Sequence, residues 1–306
     1  MAKTPILTVI CVAGLLAGCT AGGSTSGGAI DVVATTGIIA DTASRIAGEH
    51  ARVSSLMGPG VDPHLYKASE SDVRRLAGAD LILFNGLHLE GKMTDILVKI
   101  ARSRPVLAVS EEVPRDMLRE PPEFAGQYDP HIWFDVSLWA RTVDPIAREL
   151  ARLAPENAQE FDGKARELKR ELAELDQEVQ REIARIPPDR RVLVTAHDAF
   201  GYFGRRYGMD VVGIQGISTL SEAGLQDVQR VVDLVVTRRV PAVFIESSVP
   251  RRSIEAVQGA CRERGHEVAI GGQLYSDSLG ARGTGEGTYV GMVRANVRTI
   301  VEALSR

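Results

Sequence analysis

Residues 155–188 read PENAQEFDGKARELKRELAELDQEVQREIARIPP, and the pattern in this stretch decides the architecture. Apolar side chains return at Phe161, Ala165, Leu168, Leu172, Leu175, Val179 and Ile183. Steps of three and four place them on one face of a helix. Glu160, Lys164, Glu167, Arg170, Glu174, Glu178 and Arg181 supply both signs of charge between them. That suits a solvated face laced by i,i+3 and i,i+4 pairs. Pro155 stands at the predicted start, Gly163 is a weakness a helix tolerates, and Pro187 and Pro188 end it. At 1.5 Å rise per residue, about 30 residues reach roughly 45 Å. That is long for the interior of one globular unit, so the stretch is expected to be a spine joining two halves. Periodicity by itself leaves a short coiled coil open.

On either side of the spine, short apolar runs alternate with amphipathic ones. Before it, strands are expected at residues 32–35, 53–57, 81–84 and 106–109. Helices are expected at 38–47, 93–102 and 136–153, with another opening at Ser69, where Asp72 completes a capping box. Asp135 is a good N-cap for the 136–153 helix, and Pro145 inside it predicts a kink or a break. After the spine, strands are expected at 191–196, 211–214, 243–245 and 268–270, and helices at 200–207, 225–238, 253–264 and 289–304. Each half offers about four βα units. The expected fold is therefore α/β, with two open parallel-sheet lobes joined by one long rigid helix. The lobes are assigned to residues 30–154 and 188–306, and the linking helix to 155–187. No sequence repeat of fixed period relates the halves.

The 306 residues, 44% of them hydrophobic, suit one or two domains with real cores. A net charge of -4 and 5% aromatic content argue against a nucleic-acid surface. Cys11 and Cys19 lie near the N-terminus, which leaves Cys261 alone in the folded part and excludes an intradomain disulfide. Cys261 is expected to be a buried, inert thiol.

Residues 1–18 read as an export signal, with Lys3 ahead of an apolar run too short to span a bilayer as a mature helix. Leu16-Ala17-Gly18-Cys19 resembles the bacterial lipobox, which implies that Cys19 is lipidated and becomes the mature N-terminus. An ordinary signal peptide with an incidental cysteine is the alternative. Residues 19–29 are assigned as lipidated cysteine and flexible tether, with roughly 15–18 Å of play. Such a chain works outside the cytoplasm, held by lipid and not by a span.

Asp-Pro-His occurs twice, at residues 62–64 and 129–131, each time in a loop after a first-half strand. His197 follows the 191–196 strand, and Asp277 follows the last strand. In open α/β sheets, ligands bind beyond the carboxyl ends of the strands. If the lobes face each other, His64, His131, His197 and Asp277 converge between them. Three imidazoles and a carboxylate suit Zn²⁺ or another divalent first-row metal. From spacing alone, any single histidine is more often a surface or capping residue, since no HxxxH or CxxC pattern is present. Glu246, at a strand end, is placed either to brace a ligand imidazole or to be a surface carboxylate. Trp133 and Phe134 either wall the site or fill the core. Asp135 reads as a helix cap, His88 as a residue near the cleft, and His50 and His266 as solvated.

At these residues the chain resembles a known family. The segments Gly60-Val61-Asp62-Pro63-His64-Leu65-Tyr66, Tyr128-Asp129-Pro130-His131-Ile132-Trp133-Phe134-Asp135 and Thr195-Ala196-His197-Asp198-Ala199-Phe200-Gly201-Tyr202-Phe203 are similar to signatures of the zinc/manganese ABC-transporter solute-binding lipoproteins, the TroA-like group. Phe244-Ile245-Glu246-Ser247-Ser248 and Leu274-Tyr275-Ser276-Asp277-Ser278-Leu279 match as well, and the resemblance covers residues 31–306. It implies a metal site between the lobes with His64, His131, His197 and Asp277 as ligands. It also implies an ABC permease and its ATPase as partners, a monomer, and anchorage to the outer face of the cytoplasmic membrane through Cys19. Some members carry Glu at the third ligand position, where this chain has His197. Many zinc-specific members have a long His- and acid-rich loop before the second ligand, whereas residues 118–127 here contain no histidine.

Three nitrogen donors favour Zn²⁺ over Mn²⁺ on raw affinity. The reading is a receptor that binds both and holds zinc more tightly. Three rivals stand beside it. A zinc hydrolase would need an open coordination position, which Asp277 fills. A siderophore-type binding protein would need an arginine- or aromatic-lined cleft. An adhesin role is one on which the sequence does not bear.

Overall fold

The computed structural model describes Met1 and residues 29–124 and 126–305. The predicted signal peptide, Cys19 and most of the tether lie outside the described residues. In chain order, the first half runs β1 (Ile30–Ala34), α1 (Gly37–Ala47), β2 (Ala51–Ser55), α2 (Glu70–Gly78), β3 (Leu81–Phe84), α3 (Thr94–Ile100), β4 (Val106–Ala108), α4 (Val136–Trp139) and α5 (Val143–Leu153). The spine is α6 (Ala158–Ile183). Beyond it come β5 (Val192–His197), α7 (Gly201–Tyr207), β6 (Asp210–Gln215), α8 (Leu225–Thr237), β7 (Ala242–Glu246), α9 (Arg252–Glu263), β8 (Ala269–Leu274) and α10 (Tyr289–Leu304).

The first sheet is parallel throughout, in the order β2-β1-β3-β4, with Val32 opposite both Val53 and Leu81. The second half holds two parallel pairs, β5-β6 and β7-β8. β5 and β7 lie side by side, so the lateral order β6, β5, β7, β8 repeats that of the first half. The duplication absent from the sequence is thus present in topology.

Strand side chains alternate between faces, and that alternation sorts the interior into layers. Val32, Ala34, Leu81 and Leu83 of the first sheet point into one large core, together with Leu193, Ala242 and Phe244 of the second. Their neighbours Val33 and Ile82 face a smaller cluster with Leu76 and Leu97 of α2 and α3. Val192, Val194 and Val243 face another with α8 and α9. The large core crosses from one lobe to the other.

The apolar stripe of α6 lies in that shared core, every residue from Phe161 to Ile183 that sequence periodicity selected being buried. The spine packs on α1, α4 and α5 from the first half and on α7 and α10 from the second. It is therefore a core element as well as a link. At 26 residues it is about 39 Å long. A single 3₁₀ turn, Pro155–Asn157, precedes it. Buried Asp176 fastens it to α7, accepting hydrogen bonds from Arg206 Nε (3.0 Å) and the Tyr207 hydroxyl (2.9 Å).

Pro145 does not sit at a kink. The 136–153 run breaks earlier, at the 3₁₀ turn Ala140–Thr142, and Pro145 falls in the first turn of α5. There its missing N–H has no intrahelical partner to lose. Asp135 caps α4 as expected, accepting from Ser137 N and Leu138 N. Ser69 and Asp72 form the predicted capping box. Among the described residues, no helix is long and apolar enough to cross a membrane.

Candidate metal centre

Four loops or strand ends converge where the carboxyl edges of the two sheets meet. His64 follows β2, His131 follows β4, His197 is the last residue of β5, and Asp277 follows β8. All four are buried, and one ligand atom from each lies within 4.8 Å of the others. The Nε2 atoms of His64 and His131 stand 3.3 Å apart. His131 Nε2 is 3.5 Å from Asp277 Oδ1, and His197 Nε2 is 3.3 Å from Asp277 Oδ2. For comparison, a tetrahedron with metal–nitrogen bonds of 2.0–2.1 Å has edges of about 3.3–3.4 Å.

Each donor is braced by a particular neighbour. The Asp129 carboxylate accepts from the His131 amide at 3.0 Å and stands 2.8 Å from the ring Nδ1. Its other oxygen accepts from Arg119 Nη1. Arg119 lies flat against Gly201, where any Cβ would collide with the guanidinium. The Tyr202 hydroxyl donates to the Asp129 carbonyl (2.9 Å), and the Asn85 amide donates to the Pro130 carbonyl (3.0 Å). Glu246 serves His197 in a similar way. One oxygen accepts from the His197 amide (2.9 Å), and the other lies 2.6 Å from Nδ1. A carboxylate against Nδ1 favours the tautomer that leaves the Nε2 lone pair free. Asp62 Oδ1 accepts from the His64 amide at 2.8 Å, and Oδ2 accepts from the Thr219 hydroxyl at 2.6 Å. Trp133 Nε1 donates to the Ser276 carbonyl (2.9 Å), fixing the residue beside Asp277.

The electrostatics are unequal across the cluster. Burial holds the His64 imidazole down to about 3, although Asp277 opposes this. Burial also lowers His197, but the carboxylates of Glu246 and Asp277 overcome it and raise the ring well above its ordinary value. Burial pushes Asp277 up, yet His197 and the other two imidazoles hold it below the usual carboxylate range. His197 Nε2 and Asp277 Oδ1 are buried without a hydrogen-bond partner, and the Nδ1 of His197 meets Glu246 Oε2 as a close ion pair and not as an aligned hydrogen bond. Paired lone pairs at 3.3 Å and orphaned buried donor atoms are what a cation would satisfy. Donor atoms 3.3–3.5 Å apart are spaced to share a single ion.

The four residues singled out in the sequence come together, and Glu246 lies against His197. Trp133 serves both of its expected roles. It is buried in the core, and its ring meets that of His131 edge-on with centroids 5.1 Å apart. Phe134 belongs to the core, stacked on Phe200. His88 is exposed and away from the cluster, in a left-handed backbone conformation (φ 64°). His50 is not simply solvated, since it pairs with Glu160 of the spine at 2.7 Å. His266 Nε2 lies 2.9 Å from the Val240 carbonyl. Cys261 is fully buried, and burial pushes its thiol up. Sequence reasoning missed Asp129, Arg119 and Thr219. The signal for Asp129 was the Asp of the second Asp-Pro-His; nothing local marked the other two.

Residues 32–303 match the family described as zinc-uptake complex component A, periplasmic. The chain is 52% identical over 275 residues to the manganese-binding lipoprotein MntA of Bacillus subtilis, covering 90% of each. It is 46% identical over 310 residues to the zinc-binding protein TroA of Treponema pallidum, covering 100% of each. The solved structure of the periplasmic zinc-binding protein TroA from Treponema pallidum superposes with a TM-score of 0.89 at 49% identity. That match covers 91% of this chain and 100% of the other.

Proposed function

The chain belongs to the zinc-uptake component A family of periplasmic metal receptors, and from that membership we propose that it captures a divalent metal ion outside the cytoplasm for an ABC permease. It is a binding receptor and carries out no covalent chemistry. The observation that carries the site assignment is the buried meeting of His64, His131, His197 and Asp277 within 4.8 Å. These four are the ligands, and Glu246 and Asp129 orient two of the imidazoles. The cargo is zinc or manganese, the metals named for its relatives. Three imidazoles make zinc the tighter ligand in vitro. Competitive titration of the two metals tests this, and manganese binding more tightly would overturn it.

The permease works with an ATPase, and the receptor acts as a monomer. A lipid on Cys19 holds it at the outer face of the cytoplasmic membrane. The lobes are residues 30–154 and 188–306, with 155–187 between them.

Two expectations follow for the site. Glu246→Gln keeps the size of the side chain and removes the charge behind His197. Zinc affinity is expected to fall roughly ten- to a hundredfold, the usual cost of losing such a partner. Isothermal titration reads this directly, and an unchanged Kd would remove Glu246 from the site.

The second expectation concerns protons. With Glu246 and Asp277 outweighing burial, the His197 imidazole of the metal-free chain holds its proton to a higher pH than an ordinary imidazole. A ligand imidazole must be neutral, so zinc binding releases the proton that His197 holds, and affinity rises with pH through the range where that imidazole is still protonated. Acidification therefore weakens binding from above the ordinary imidazole value. His64, already held down to about 3, contributes no proton in this range. Titration in buffers of different ionisation heat counts the proton, and a count of zero at pH 7 would contradict the assignment.

A further inference from the structure

The lobes are joined through the shared core and the spine, which leaves the way out for a bound ion on the opposite side, at the ligand loops. There the three imidazoles are not held alike. Asp129 stands behind the ring of His131 and Glu246 behind that of His197. Among the described residues, no carboxylate forms an ion pair with the ring of His64. The position of His64 rests on its backbone, whose amide is held by Asp62 Oδ1.

The other oxygen of Asp62 reaches across the lobes. It accepts the Thr219 hydroxyl at 2.6 Å, a contact between residues 157 apart in the chain. Thr219 is 6% exposed and sits in residues 216–224, a stretch without helix or strand between β6 and α8. The rest of the stretch is tied within its own lobe, by Asp198 N to the Gly216 carbonyl (3.3 Å), Gln215 Nε2 to the Ser221 carbonyl (3.0 Å) and the Arg252–Glu222 pair (2.6 Å), so the Thr219 hydroxyl links it to the first lobe. Gly60 N adds a backbone bond to Ser278 Oγ (2.9 Å), which binds the same first-lobe loop to the segment carrying Asp277. One carboxylate thus couples the least braced imidazole to a loop of the other lobe.

We propose that the Thr219–Asp62 hydrogen bond is a clasp that sets the rate at which the bound ion leaves, by keeping the His64 loop closed over it. Thr219 is a positioning residue and touches no metal. The inference rests on the ligand assignment above and adds a kinetic role to it. Opening the clasp releases Asp62, and with it the His64 loop, from the second lobe, and the first metal–ligand bond to break is the one to His64.

The test uses full-length, zinc-loaded protein mixed with excess chelator in a stopped-flow instrument. Thr219→Val keeps the shape, the four ligands and the Asp62–His64 bond, and removes only the hydroxyl. Losing a hydrogen bond to a carboxylate is expected to speed zinc release roughly tenfold or more. The association rate should stay within about threefold, since opening adds no barrier to entry. Thr219→Ser restores the hydroxyl and should release zinc at the parental rate. The visible spectrum of the Co²⁺-loaded protein should be the same in parent and Thr219→Val, because the ligand set is intact. A Thr219→Val release rate within threefold of the parent, or a changed Co²⁺ spectrum, would overturn the clasp while leaving the ligand assignment standing. A parent chain that retains no zinc would instead overturn the ligand assignment, and the clasp with it.

Discussion

Replacing His131 with alanine is expected to weaken zinc binding roughly 60- to 700-fold. Zinc sites of four protein ligands are worth about 10–16 kcal/mol near neutral pH, so one ligand in four accounts for about 2.5–4 kcal/mol. His131 is the most telling choice because it has the most elaborate support. Asp129, Arg119, Tyr202 and Asn85 all hold its loop, so the imidazole is fixed before the ion arrives. The substitution also leaves the Asp129 carboxylate paired with Arg119, which keeps a buried charge from being stranded. Competition against a chelator of known affinity measures the change. A variant within threefold of the parent would show that His131 is not a ligand.

The second large effect is on stability. Unfolding disperses the four donors, which lie far apart in the chain between residues 64 and 277, so only the folded chain binds the ion tightly. With free zinc at a thousand times its Kd, mass action adds about 4 kcal/mol to the folded state. At roughly 2 °C per kcal/mol for a chain of this size, the melting temperature should rise by about 8 °C. The rise should vanish with chelator and be much reduced in His131→Ala. Equal melting temperatures with and without zinc would contradict a site assembled by folding.

The spine was readable because its two signals agree. A 3.6-residue apolar stripe and flanking prolines mark both its face and its ends. The strand at 81–84, an unbroken apolar run, and the helix at 289–304, with its recurring apolar face, are as plainly written. Pro145 signalled a break and the run does divide into two helices, but the division lies three to five residues earlier, at Ala140–Thr142, because the proline ring excludes a helical carbonyl four residues back, at Arg141. That α6 would lie in a core shared by both lobes was not readable. Periodicity gives the width of a buried face but not the identity of what covers it.

The site divides in the same way. His64, His131, His197 and Asp277 were singled out because each follows a strand, where ligands bind in open α/β sheets, and the resemblance to the metal-receptor signatures is what implied them as ligands. Glu246 was found for the same reason. Arg119 and Thr219 lie in irregular segments whose path depends on packing, so no spacing rule reaches them. Arg119 depends on a slot over Gly201 that exists only in three dimensions. Asp129 was in plain view beside its histidine, but the motif gave no indication that its carboxylate turns back onto the imidazole ring.

Anomalous diffraction from crystals of the zinc-loaded protein, recorded at the zinc edge, locates the ion itself. The account predicts one strong peak per chain, about 2.0–2.2 Å from Nε2 of His64, His131 and His197 and from a carboxylate oxygen of Asp277. A peak elsewhere in the chain, or one that any of these four side chains fails to reach, would contradict it.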